Sequence, residues 1–194
     1  MHNDPRLSFQ SYSTTISSLL KQTRPMPLGH GTPDEAITSV LRSLTIEEAF
    51  APRKVVDRNS ARLCFAGVWL LYDHLEECHR IAQEIETRDA AYWHAIMHRR
   101  EGGFSNSKYW FKKVGEHEIF PSLCEEAKKL MAKSIKEKST SFLIDQAQWN
   151  PSRFVDLCEA SVTRRTNAED LCRSIQQAEW RLFFDCCYRK AIGG

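Results

Sequence analysis

The stretch LCFAGVWLLY, residues 63 to 72, is apolar nearly all the way round any helix it forms. A helix of that kind is stable in water only when other helices surround it, so the chain must build its fold about this segment. On either side, Leu63, Val68, Leu71, Leu75, Cys78, Ala82 and Ile85 return at threes and fours, which predicts one long central helix over roughly 58 to 86. A chain of 194 residues, 42% hydrophobic and 27% charged, is long enough to enclose it in a single core.

Punctuation supplies the remaining elements. TPDE at 32 to 35 offers a capping hydroxyl, a proline at the first helical position and a following glutamate, so a helix is expected from Pro33 to about Leu44. A second capping box, TIEE at 45 to 48, opens a short helical turn that ends before Pro52. Asp89 is the expected cap of a helix through Arg100, and Ser105 or Asn106 that of another through Val114. Further helices are expected from Pro121 to about Lys138, from the Asn150-Pro151 start, and from Thr166 in TNAED to a stop at Gly193. Only Val55-Val56 leans toward β-structure.

The expected fold class is therefore all-α: a single globular domain of about seven or eight helices over residues 32–194. Residues 1–31, rich in Ser, Thr, Pro and Gly, are expected to form an extended or partly disordered N-terminal arm, in which SYSTTISSLLKQ can make one short helix.

Charge selects no partner: 27 basic against 25 acidic residues give a net +2, and no nucleic-acid or membrane surface is expected. There is no long apolar run and no signal-peptide core at the N-terminus. Seven scattered cysteines without a CxxC indicate reduced, mostly buried thiols, consistent with an expected cytoplasmic location.

Chemistry-bearing residues concentrate in HAIMHRREGGFSNSKYWFKK, residues 94 to 113. Gly102 or Gly103 supplies the positive-φ residue that ends one helix, and the next helix folds back to make a tight hairpin with an aromatic interior. Within it, His94, His98 and Glu101 stand at i, i+4 and i+7 on one helix face and could hold one divalent metal, with His74, His79 and His117 on flanking elements as reserve ligands. HAIMH lacks the glutamate of the metalloprotease motif, so no peptidase is implied. The start of the second helix, with Arg99, Arg100, Ser105, Asn106 and Lys108, offers N–H groups and positive charge suited to a small anion. The simplest alternative leaves the histidines hydrogen-bonded between helices and Glu101 paired with Arg99 or Arg100.

Gly102, Phe104, Ser107 and Phe111 are spaced as in one tetratricopeptide-like unit, which the hairpin resembles, although no second copy follows. YWHAIMHRREGGFSNSKYWFKKVGEH and the terminal EWRLFFDCCYRKAIG are similar to segments of an uncharacterised family of bacterial all-helical proteins, with Gly103 in place of an aspartate and Ser107 in place of an alanine. That resemblance implies a helical fold and no particular activity. Two functions follow as expectations: a helical protein that uses the 90–114 region to bind a protein partner or small ligand, with no cofactor, or an enzyme using His94, His98 and Glu101 as metal ligands or as acid and base toward an anionic substrate.

Overall fold

Side chains that accept backbone N–H groups set where the helices begin. The computed structural model describes residues 12–21, 26–134, 138–164 and 167–194. Among these lie eleven α-helices and no strand: α1 (Thr14–Leu19), α2 (Glu35–Ser43), α3 (Ile46–Phe50), α4 (Arg58–Leu71), α5 (Leu75–Gln83), α6 (Arg88–Arg100), α7 (Phe104–Val114), α8 (Phe120–Ala132), α9 (Phe142–Asp145), α10 (Pro151–Arg164) and α11 (Glu169–Ile192). A 3₁₀ turn spans Lys138–Thr140.

The Thr45–Glu48 capping box forms as the sequence predicts, with each residue's side chain accepting the other's N–H. Asn150 Oδ1 accepts from Arg153 N before α10, and Gly193, at φ 79°, ends α11. At α2 and α6 the cap differs from expectation. Asp34, not Thr32, caps α2, and Thr87, not Asp89, caps α6. In each case the expected residue is held elsewhere: Thr32 donates its N–H to Asp73, and the Asp89 carboxylate binds His117 and Lys190. α8 ends at Ala132, short of the expected end near Lys138, and Thr166, where one helix start was expected, lies outside the described residues.

The central helix is buried as its composition demands, with Ser60, Ala61 and every residue from Leu63 to Leu71 enclosed. Gly67 is the point of closest approach: a Cβ there would lie 2.7 Å from the Trp93 ring and 3.0 Å from Phe184. Its carbonyl accepts from Trp180 Nε1 at 2.9 Å, which ties α4 to α11. A larger core forms around α4, α6 and the C-terminal half of α11, and a smaller one joins α8, α9 and α10 to the start of α11.

The predicted single helix over 58 to 86 is two helices. Asp73 adopts a left-handed conformation, φ 65°, and breaks the chain between α4 and α5, which accounts in part for eleven helices where about seven or eight are expected. The cause is tertiary. Arg100 on α6 donates to Leu70 O at 2.7 Å and to Asp73 Oδ1 at 2.6 Å. The same guanidinium donates to Gly29 O and His30 O, both at 3.2 Å, so the polypeptide before α2 is strapped over this break. Gly31 is required there, because a side chain would collide with the Asp73 carboxylate. The described parts of residues 1–31 are packed rather than extended from the body: α1 buries Ile16 and Leu19, and Met26 and Leu28 are buried beyond it.

All seven cysteines are buried thiols without a disulfide. No helix among the described residues is long and apolar enough to cross a membrane.

Asp73→Ala leaves the Arg100 guanidinium buried without its carboxylate. It should lower the unfolding free energy by about 3–5 kcal/mol in urea titration. A loss under about 1 kcal/mol would show that the pair does not hold the break.

Candidate metal centre

The turn between α6 and α7 fixes the site. Glu101 ends α6, Gly102 takes φ 85°, and the N–H groups of Gly103 and Gly102 donate to His98 O and Arg99 O at 2.9 and 3.4 Å. This is a Schellman closure, and it is why Gly103, rather than the predicted Ser105 or Asn106, becomes the N-cap of α7. Ser107, a small residue, lets α7 lie close against α6 and donates its hydroxyl to Ala95 O at 2.7 Å. The expected hairpin thus forms, buried around Tyr92, Phe111 and Val114.

On its outer side the rings make a column. Trp110 of α7 stacks on His94 at 3.9 Å and 14°, and His94 stacks on His98 at 4.8 Å and 19°. His79 of α5 meets both histidines nearly edge-on, at 4.5 and 5.5 Å. One ring nitrogen from each of His79, His94 and His98 lies within 4.8 Å of the other two. The Lys113 ammonium caps the column, 4.5 Å from the Trp110 ring and 4.9 Å from Tyr109.

Glu101 does not join the three nitrogens directly. Its carboxylate contacts His98 Nδ1, and Asn106 Nδ2 lies 3.0 Å from His98 Nε2. With Nδ1 donating to Glu101, Nε2 presents its lone pair to Asn106. His94 is buried, and its Nδ1 has no protein partner. Burial first, and then the neighbouring His79, His98 and Lys113, which oppose a further proton, hold the pKa of the His94 imidazole down to about 3. Burial and then His98 also lower His79, while Glu101 opposes that shift. Both rings are therefore neutral at physiological pH, the form that ligates metal.

The predicted metal set His94, His98 and Glu101 is thus rearranged: the two histidines converge with His79, and Glu101 acts behind His98. Of the reserve ligands on flanking elements, His79 is the one that completes the group. The predicted anion set does not assemble. Arg99 and Arg100 are fully buried and point away from the turn, Arg99 to Glu179 at 2.5 Å and to Gln176, Arg100 to Asp73. Lys108 pairs with Asp156 at 2.7 Å, Ser105 is exposed, and Asn106 serves His98. Glu101 pairs with His98 and with neither arginine.

A second cluster, His117, Glu118 and Cys186, also brings donor atoms within 4.8 Å. It already contains a cation: Lys190 Nζ lies 2.8 Å from both Glu118 and Asp89, and Asp89 also binds His117 at 3.0 Å.

Comparison with known protein families, characterised proteins and solved structures returns no match for this chain.

The depressed His94 value has a definite sign. In the unfolded chain the imidazole titrates near 6.5, whereas in the folded chain it stays neutral until about 3. Between those values the unfolded chain binds the extra proton, so this residue's contribution makes stability fall as pH drops below about 6.5. Urea midpoints at pH 7.5 and pH 5 should fall less in His94→Gln than in wild type. Equal falls would contradict a buried neutral His94.

Proposed function

We propose that this protein binds one divalent transition metal at the junction of α5, α6 and α7, with His79, His94 and His98 as ligands. The observation that carries this reading is the convergence of three ring nitrogens within 4.8 Å, one of the rings buried with an unpartnered nitrogen. Nitrogen donors favour zinc, copper, nickel or iron over calcium or magnesium, and three imidazole ligands suit tetrahedral zinc with one position left for water.

Two adjustments accompany binding. Tetrahedral zinc with bonds of about 2.0–2.1 Å places its ligands about 3.4 Å apart, so the nitrogens draw together. For both His94 and His98, now stacked face to face, to hold one ion, their rings would have to turn about their soft terminal torsions. Trp110, stacked on His94, would report that turn as a change in fluorescence. Glu101, on the far nitrogen of His98, fixes the tautomer and raises the ring's basicity, as outer-sphere carboxylates do. Asn106 competes, because it occupies the lone pair that the metal needs.

A second reading takes the centre as catalytic. It is favoured by the open side of the site, where His79 is half-buried and Glu101 and Lys113 are exposed. Zinc-bound water there would be deprotonated near neutrality, and Lys113 would attract an anionic substrate.

Zinc titration of protein purified without an affinity tag should give one tight equivalent, lost in His94→Ala and His98→Ala and weakened in His79→Ala. Glu101→Gln should weaken binding about 10- to 100-fold, and Asn106→Ala should tighten it about 2- to 10-fold, the worth of one net hydrogen bond. Wild-type protein with no saturable zinc site, or variants that bind as wild type does, would refute the proposal.

A further inference from the structure

The packing of α10 on α11 brings two of the seven thiols together. Cys158 and Ser161 stand three positions apart on α10, so their side chains leave the same face of that helix. Cys172, near the start of α11, packs onto that face. Its Sγ lies 3.5 Å from Ser161 Oγ, and its thiol shares a hydrogen bond with that of Cys158. All three side chains are buried.

Arg99 lies along the same face of α10. Its guanidinium sits 4.8 Å over the ring of Phe154, one helical turn before Cys158, and its Nη1 has no hydrogen-bond partner. The two thiols are unequal in this setting. The hydrogen bond from Cys158, then Ser161 and the Arg99 charge, outweigh burial and lower Cys172, whereas burial above all raises Cys158. Burial is also the first cause that raises each of the other five cysteines. Cys172 is thus the thiol set to react as thiolate, with Cys158 beside it as a second sulfur.

We propose that Cys158 and Cys172 form a redox-active pair, which a hydroperoxide closes to a disulfide joining α10 to α11. The Cys172 thiolate attacks one peroxide oxygen, the O–O bond breaks, and the departing oxygen takes a proton to become water, leaving Cys172 as a sulfenic acid. The Cys158 sulfur then gives up its proton and attacks the Cys172 sulfur. The S–O bond breaks and a second water departs, so two electrons pass from sulfur to peroxide and both thiol protons end in water. Peroxide, little larger than water, reaches the enclosed pair during local opening of the helices. The inference does not rest on the metal centre, which uses none of these residues.

The experiment treats reduced wild-type protein, freed of reductant and metal, with a small excess of hydrogen peroxide at neutral pH, then counts thiols in guanidinium. Wild type should lose two of its seven thiols before any other reacts. A tryptic digest without reductant should contain peptides 154–164 and 166–173 joined, two hydrogens lighter than their sum. Cys158→Ser removes the second sulfur, so dimedone, which traps sulfenic acid, should label Cys172 in that variant. Cys172→Ser should keep its remaining thiols and take no label at Cys158. His94→Ala should oxidise as wild type does, which separates this pair from the metal centre. Circular dichroism verifies folding of each variant, and where one does not fold, the wild-type thiol count and linked peptide decide. Retention of all seven thiols, a disulfide between other cysteines, or dimedone on Cys158 in place of Cys172 would overturn the inference.

Discussion

Two consecutive buried arginines organise this protein. Arg99 and Arg100 sit at the end of α6 with no solvent exposure, and successive positions on a helix point about 100° apart, so the two charges reach different neighbours. Arg99 ties α6 to α11 through Glu179 and Gln176, and lies over the Phe154 ring at 4.8 Å. Arg100 ties α6 to the α4–α5 break and to the strap before α2. A buried guanidinium is costly unless its donors are met, so these contacts fix where four segments must lie. They are better understood as specifying one arrangement than as adding stability, since an ion pair of this kind repays little more than its own desolvation.

The orientation of α6 follows, and the candidate site follows from that. With residues 99 and 100 committed inward, the face bearing His94, His98 and Glu101 is left toward α5 and α7, where His79 and Trp110 meet it. The break at Asp73 matters a second time, because it allows α5 to turn away from the line of α4 and present His79 to α6. A continuous helix over 58 to 86 would not bring His79 to the site. The paired glycines set the remaining distance, by closing α6 immediately after Glu101.

The sequence made the helical class legible because its signals are local. The Thr45–Glu48 box, the Asn150-Pro151 start, the Gly102 turn and the Gly193 stop each act within a few residues, and each appears where expected. What it concealed was set by partners distant in the chain. The Asp73 break depends on a guanidinium 27 residues away, and the Leu63–Ile85 periodicity continues across it undisturbed. Arg99 and Arg100 look like a solvated helix end until Glu179, 80 residues on from Arg99, and Asp73 are known to face them. Two of the three candidate ligands were readable as a pair for the same reason: His94 and His98 share a helix, whereas His79, on a flanking element, is brought to them only by the packing of α5 on α6.

The most direct test of the metal centre is X-ray absorption at the zinc edge on stoichiometrically loaded protein. The account predicts a first shell of three nitrogen scatterers at about 2.0–2.1 Å with the outer-shell pattern of three imidazoles, and one further light atom. Sulfur scatterers at about 2.3 Å, or a shell with fewer than two imidazoles, would place the metal on other residues and contradict it.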